Sequence, residues 1–89
     1  MEEFKGTKGR WVYSAETGTI RGDGGLLAEL LINGSEDDNG ALMAAAPELL
    51  EALQLTEKAM AEGRNVTYPE WYGVINKARV VIHKALGKE

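Results

Sequence analysis

Cysteine is absent from this 89-residue sequence, and histidine occurs once. Without cysteine there is no disulfide, no thiolate metal site and no cysteine–histidine catalytic dyad. A serine triad would have to use His83, which falls in a helical pattern near a helix C-terminus, where it serves better as a cation than as a general base. We therefore predict a protein that is not an enzyme, with no catalytic residue, no metal site and no cofactor.

Long hydrophobic runs and an excess of positive charge are also missing. The longest apolar segment, residues 26–32, is interrupted by Glu29 and falls far short of the roughly 20 residues of a membrane span. The net charge is −4, which disfavours nonspecific binding to nucleic acid. The start of the chain does not have the basic and then apolar pattern of a signal peptide. We expect a soluble intracellular protein that binds neither a membrane nor nucleic acid.

Eighty-nine residues, of which 44% are hydrophobic, predict a single domain over residues 1–89. A chain this short buries only about 60–65% of the surface that it exposes when unfolded, and no disulfide can stabilise it. We therefore expect a homo-oligomer. Within the domain the sequence indicates a loose charged arm at residues 1–9, a sheet at residues 10–32 and a helical part at residues 38–86.

The sheet is predicted to be a three-stranded antiparallel β-meander. Aromatic and β-branched residues favour strands and indicate strands at residues 10–14 and 19–21, followed by glycine turns at residues 15–18 and 22–25. Residues 26–32 could form a helical turn by propensity, but the glycine turns that bound the segment and its length indicate a third strand. The two-residue period of a strand places Trp11 and Tyr13 on one face. In the third strand the same period separates two sets of side chains, which are Leu26, Ala28, Leu30 and Ile32 on one face and Leu27, Glu29 and Leu31 on the other.

Proline is scarce, with two residues in all, and Pro47 stands inside an alanine- and leucine-rich run. A proline in a helix interior costs about 3 kcal/mol, whereas in the first turn it loses no hydrogen bond. We therefore predict a short helix over residues 39–45, capped by Asp37 or Asp38, and a new helix that has Pro47 in its first turn. Ala46 is the predicted corner between them, because a residue before proline avoids the helical region.

The two longer helices are predicted to form an antiparallel hairpin with one side of the sheet laid on it. The first of them ends at Gly63 and turns inward Leu49, Leu50, Leu53, Thr56 and Met60. Thr67 and Glu70 have the spacing of a capping box, so the last helix begins there and runs to about Leu86. Its apolar stripe is Trp71, Val74, Ile75, Ala78, Val81, Ile82 and Ala85. The expected fold is α+β: a meander, a short helix, a proline corner and a helical hairpin.

The glycine-rich segment at residues 21–25 has two interpretations. Glycine and aspartate favour a tight turn between strands. Alternatively, its free N–H groups and an arginine guanidinium bind a nucleotide phosphate while two strand aromatics stack on the base. The candidate ligand-binding residues are Arg21, Gly22, Asp23, Gly24, Gly25, Trp11 and Tyr13. The candidate interface residues, aromatic or apolar side chains outside the predicted core, are Tyr68, Tyr72, Leu27 and Leu31.

Two segments, FKGTKGRW at residues 4–11 and NGALMAAAPELLEAL at residues 39–53, resemble short bacteriophage and prophage accessory proteins. In that group a Gly-x-Trp start precedes an aspartate-glycine turn and an Ala-Ala-Ala-Pro-Glu-Leu-Leu-Glu-Ala-Leu helix motif. The resemblance covers residues 4–53 well and residues 54–89 only in helical character. Relatives often have proline before the tryptophan, where this chain has Arg10. The resemblance implies a phage origin and the host bacterial cytoplasm as location, but it assigns no functional residue.

These observations predict a non-catalytic phage accessory protein that acts by binding. The leading hypothesis is an inhibitor of a host antiviral defence protein, of the anti-CRISPR kind, because the chain is small, acidic and poor in reactive groups. The first alternative is an oligomeric sponge that sequesters a nucleotide immune signal, either cyclic or of the ADP-ribose type. The second alternative is a structural or assembly role.

Overall fold

The computed structural model describes residues 3–63 and 67–88, which form three strands followed by three helices. The α+β class and the order of the elements are as the sequence predicts. The elements are β1 (Val12–Ser14), β2 (Thr19–Gly22), β3 (Gly25–Glu29), α1 (Glu36–Ala44), α2 (Ala46–Glu62) and α3 (Tyr68–Ala85).

The sheet is an antiparallel meander in the order β1-β2-β3, but its third strand is shorter than predicted. Ile20 pairs with Ala28 and Arg21 pairs with Leu26, so Leu27 is an extra residue in a β-bulge. A bulge breaks the two-residue alternation of side chains, which is why the faces predicted for residues 26–32 are wrong. The strand ends at Glu29 because β2 begins at Thr19 and offers the residues beyond position 30 no backbone to pair with.

The helix α1 begins three residues before the predicted start and has a different N-cap. Its N-cap is Ser35, which makes no side-chain capping bond. Instead the Glu36 carboxylate accepts hydrogen bonds from the N–H groups of Asn33 and Gly34, at 3.2 and 2.7 Å. The prediction that Asp37 or Asp38 caps the helix is wrong. The Glu36 carboxylate accepts the hydrogen bonds of the backbone donors before the helix, and the Asp37 carboxylate accepts a hydrogen bond from the hydroxyl of Tyr13.

Pro47 lies in the first turn of α2, which confirms the reason given for its position in the sequence. The corner falls at Ala45 rather than at Ala46. Ala45 ends α1 and caps α2 with φ −83° and ψ −6°, and it is fully buried. Ala46 is already the first helical residue. The helix ends at Gly63, whose φ of +50° is the left-handed value that favours glycine.

The inward face of α2 differs from the predicted one. Ala52 and Ala59 are buried, whereas Leu50, Leu53 and Met60 are exposed. The face that meets α3 repeats at intervals of three and four residues and consists of Leu49, Ala52, Thr56 and Ala59. Leucine has the stronger hydrophobic driving force, but alanine lets two helix backbones approach closely, so the small residues occupy the contact.

The helix α3 starts at its predicted capping box, where the N–H of Glu70 donates to Thr67 Oγ1 at 3.4 Å. Its inner residues are again those at intervals of three and four, namely Trp71, Val74, Ala78, Val81 and Ala85. Ile75 and Ile82, which the sequence placed in the same stripe, are exposed. We call these five residues, together with the four inner residues of α2, the seam.

The sheet packs on α1, and not on the helical hairpin as predicted. The strands β1 and β2 approach the backbone of α1, while α1 also contacts α2 and α3. The close approach depends on Gly40, because a Cβ at this position would overlap the ring of Tyr13. Within the described residues, α1 is the one element that joins the sheet to the hairpin.

The arm before β1 has no regular secondary structure in residues 3–10 but contacts the sheet. Trp11 Nε1 donates a hydrogen bond to the backbone oxygen of Thr7 at 3.0 Å. The Phe4 ring meets the Trp11 ring edge-on, with 6.4 Å between centroids. Trp11, the residue directly before β1, therefore holds the arm against the sheet.

Replacing Pro47 by alanine tests the position of the proline in α2. We expect Pro47→Ala to change the free energy of unfolding by no more than about 1 kcal/mol, since a proline in the first turn strains no hydrogen bond. The control is Glu57→Pro at an exposed position in the middle of the same helix, which should cost about 3 kcal/mol or more. Urea unfolding measures both. A gain near 3 kcal/mol for Pro47→Ala would mean that the proline strains a helix interior.

A matched pair of glycine substitutions tests the joint between α1 and the sheet. Gly40→Ala should cost about 1–3 kcal/mol, because its methyl group overlaps the Tyr13 ring and must displace it. Gly73→Ala, in α3, has no atom within 4 Å of the added Cβ and should instead stabilise the protein by about 0.5–1 kcal/mol. Equal effects of the two substitutions on urea unfolding would show that Tyr13 does not pack on Gly40.

Candidate functional site

The glycine-rich segment at residues 21–25 forms the tight turn between β2 and β3. Gly22 pairs with Gly25, which leaves Asp23 and Gly24 as a two-residue loop. Gly24 has φ +99°, whereas no residue other than glycine has a positive φ among those described. A negative φ followed by a positive φ is the pattern of a type II turn. The turn interpretation therefore accounts for the glycine and aspartate residues of this segment.

The structure divides the proposed ligand-binding residues between the two faces of the sheet. Val12 pairs with Arg21, so these two side chains share the outer face and Arg21 is exposed. Trp11 lies on the inner face, where its ring edge is near Gly22. A single nucleotide would have to pass around the edge of the sheet to place its phosphate on Arg21 and its base on Trp11.

Tyr13 joins the sheet to α1 and does not face the turn. Its hydroxyl donates a hydrogen bond to Asp37 Oδ1 at 2.7 Å, and its ring covers Gly40. The hydrogen bond to Asp37, partial burial, and the negative charges of Asp37 and Glu36 raise the pKa of Tyr13 from 10.0 to about 12. The hydroxyl therefore stays a hydrogen-bond donor throughout the neutral and moderately alkaline range.

Leu31 and Ile32 are the most exposed large apolar side chains of the described chain, at 86% and 87%. They follow β3 directly, after Leu30 makes the last ladder bond by donating its N–H to the backbone oxygen of Gly18 at 2.8 Å. Leu27, the other interface candidate in this region, is only just exposed and packs beside Gly22. The sequence pattern predicts Leu31 as an interface residue, but it places Ile32 on the opposite face of the third strand and does not single it out.

Tyr68 and Tyr72 form a pair at the start of α3. Their rings meet edge-on with 5.1 Å between centroids, and both residues are exposed. Tyr72 belongs to a larger surface on one side of the helical hairpin, which we call the hairpin face. It consists of Leu53, Met60, Tyr72, Ile75, Ile82 and Leu86, all exposed. The apolar pattern of the sequence does not reveal most of this surface, because it predicts that four of these residues are buried in the core.

A cleft of about 660 Å³ lies between the N-terminal arm and α2. Its charged side chains are of both signs, and two ion pairs, Lys8 with Glu3 and Lys84 with Glu48, neutralise much of that charge. His83 is exposed in the last turn of α3. In residues 3–63 and 67–88, no group of three histidine or acidic side chains could hold a metal ion.

The fold and these surfaces define a small α+β protein in which many large apolar side chains are exposed and the buried residues of the described chain are mostly alanine. The chain belongs to the family described as Salmonella phage P22 protein Y8K6, whose model matches residues 1–89. The phage origin expected from the sequence is thereby confirmed. No curated protein and no solved structure matches the chain. None of the helices in the part of the chain that the structure describes is long and apolar enough to cross a membrane.

Titration of the tyrosines tests the contact between Tyr13 and Asp37. The pKa of Tyr13 is raised on folding, so the stabilisation from the neutral hydroxyl is complete below pH 10 and is lost as the pH rises through about 12. We expect Tyr13→Phe to remove the transition near pH 12 from the tyrosinate absorbance. Asp37→Asn should move that transition toward pH 10, because the amide carries no charge. A transition near pH 12 that survives Tyr13→Phe contradicts the assignment.

Proposed function

We propose that this chain is a non-catalytic accessory protein of the phage, which acts by binding and inhibits a host antiviral defence protein. The observation that carries the proposal is the exposure of Leu31 and Ile32 directly after β3. Two adjacent aliphatic side chains that are almost fully solvated cost free energy, and a partner that covers them recovers it. Exposed apolar anchors of this kind are typical of the centre of a protein interface.

The edge of the sheet supports the same surface. The strand β3 is an edge strand, so its outer backbone groups are free to pair with a strand of another protein. Backbone pairing along β3 and the burial of Leu31 and Ile32 would use neighbouring parts of one surface. The net charge of −4 favours a partner with a basic surface and speeds their encounter.

The sponge alternative has no comparable support, because Arg21 and Trp11 lie on opposite faces of the sheet. The infection and retention experiment described below nevertheless distinguishes a sponge from an inhibitor. A sponge would retain a nucleotide that absorbs in the ultraviolet, whereas an inhibitor would retain a host protein.

A phage infection assay with matched variants tests the proposed function. In a host that carries the targeted defence system, expression of the chain should restore phage growth, and the tagged chain should retain one defence protein. Leu31→Lys combined with Ile32→Lys should abolish both effects, because two charges cannot be buried in an apolar contact. Leu42→Lys, at an exposed leucine of α1, should leave both unchanged.

Three results would contradict this proposal. The first is restored phage growth with the Leu31→Lys and Ile32→Lys variant. The second is a nucleotide in the eluate without a host protein, which supports the sponge. The third is retention of phage structural proteins alone, which supports an assembly role.

A further inference from the structure

The hairpin face lies on one side of the pair of helices α2 and α3. Each of its residues directly follows a residue of the seam in the sequence, as Leu53 follows Ala52 and Ile82 follows Val81. Each step along an α-helix turns by about 100°. In an antiparallel pair of helices, the residue that follows a seam position therefore lies on the same side of the pair in both helices. The residues that follow the seam positions of α2 and α3 form one continuous surface.

The ion pairs of the hairpin confirm this geometry. Glu48 pairs with Lys84 and Glu51 pairs with Lys77, and each of these four residues directly precedes a residue of the seam. They therefore lie on the opposite side of the hairpin, where they bridge α2 and α3. One side of the hairpin carries the two salt bridges between α2 and α3, and the other carries the hairpin face.

The dimensions of the protein are larger than those expected of a compact monomer of its length. Its radius of gyration is 15.2 Å, against about 12 Å for a compact chain of 89 residues. Its accessible surface is 6597 Å², against about 5,100 Å² for a monomer of this mass. The excess of about 1,500 Å² is comparable to the area that each protomer of an obligate dimer buries.

The core of the chain is correspondingly small. The molecule measures 47 × 27 × 16 Å, so its thinnest dimension is about one and a half times the diameter of one helix, which is about 10–12 Å. Ile20 is the one large side chain that is fully buried among the described residues. A second layer of helices would supply the buried apolar surface that a single hairpin lacks.

We propose that a second copy of this chain covers the hairpin face, so that two hairpins form a four-helix bundle about a two-fold axis. An isologous interface requires a surface that complements itself, and a surface of exposed apolar side chains meets that requirement. On α3 the face extends from Tyr72 to Leu86, about 21 Å at 1.5 Å per residue. The excess accessible surface of about 1,500 Å² per chain is more than the share that each partner contributes to an interface of roughly 1,000 Å².

Two charged residues also directly follow seam positions, Glu57 on α2 and Arg79 on α3, so they lie on the same side of the hairpin as the hairpin face. A two-fold axis parallel to the helices places α2 of one copy over α3 of the other. The helix that carries the acidic side chain of each copy then lies over the helix that carries the basic side chain of its partner, which favours this pairing over one that brings like charges together.

Sedimentation equilibrium with a matched pair of variants tests the proposal. The full-length chain should have the mass of two copies at about 50 μM, a concentration at which an interface of this size is occupied. Leu53→Glu places a charge in the hairpin face and should give the mass of one copy. Val80→Glu is the control, because Val80 has a similar exposure, 59% against 66% for Leu53, but precedes the seam residue Val81 and lies on the ion-pair side. It should remain a dimer.

Far-ultraviolet circular dichroism of each variant separates dissociation from unfolding, and Met60→Glu provides a second variant of the face if Leu53→Glu does not fold. A wild-type chain with the mass of one copy, or with a mass other than two copies, overturns the proposal. So does an assembly that both face variants leave intact, or one that Val80→Glu disrupts equally. The Leu31→Lys and Ile32→Lys variant should remain a dimer, so the dimer and the proposed inhibitor activity can fail independently.

Discussion

Close contact through glycine and alanine is the constraint on which this structure depends. Gly40 admits the ring of Tyr13 and thereby joins the sheet to α1. Ala44 and Ala45 fill the corner between α1 and α2, and Ala52 and Ala59 let α3 approach. A small side chain permits close backbones but buries little apolar area. Many of the larger apolar side chains are consequently left exposed on the surface.

The same constraint divides the molecule into parts with separate tasks. The sheet reaches the rest of the fold through α1, so its edge strand β3 and the exposed Leu31 and Ile32 remain open to a partner. The hairpin has salt bridges on one side and the hairpin face on the other. The two apolar surfaces therefore lie on different elements, and each can be occupied without the other.

The elements of the fold could be predicted from the sequence because their ends depend on local chemistry. Gly63 ends a helix, Thr67 with Glu70 begins one, and Pro47 is tolerated in the first turn of another. These signals act within a few residues and need no knowledge of the tertiary structure. The number and order of strands and helices followed from them.

The packing of the elements could not be predicted in the same way. Hydrophobicity placed Leu53 and Met60 inside, but the contact between α2 and α3 selects the smaller Ala52 and Ala59 one position away. The bulge at Leu27 arises from pairing with β2, which the alternation of a single strand does not reveal. The bond between Tyr13 and Asp37 joins residues 24 positions apart. Of the candidate site residues, Leu31, Tyr68 and Tyr72 are exposed as expected, whereas Tyr13 is engaged with α1.

We infer that one chain does not bury enough apolar surface and that a second copy completes the fold. The thermal unfolding midpoint, measured at about 2 μM and about 200 μM chain, tests this most directly, because association coupled to folding makes the midpoint depend on concentration. A hundredfold increase in concentration contributes about 2.7 kcal/mol, which should raise the midpoint by about 5–10 °C for a folded unit of two chains. The same midpoint at both concentrations would show that the single chain is stable alone and that a second copy does not complete the fold.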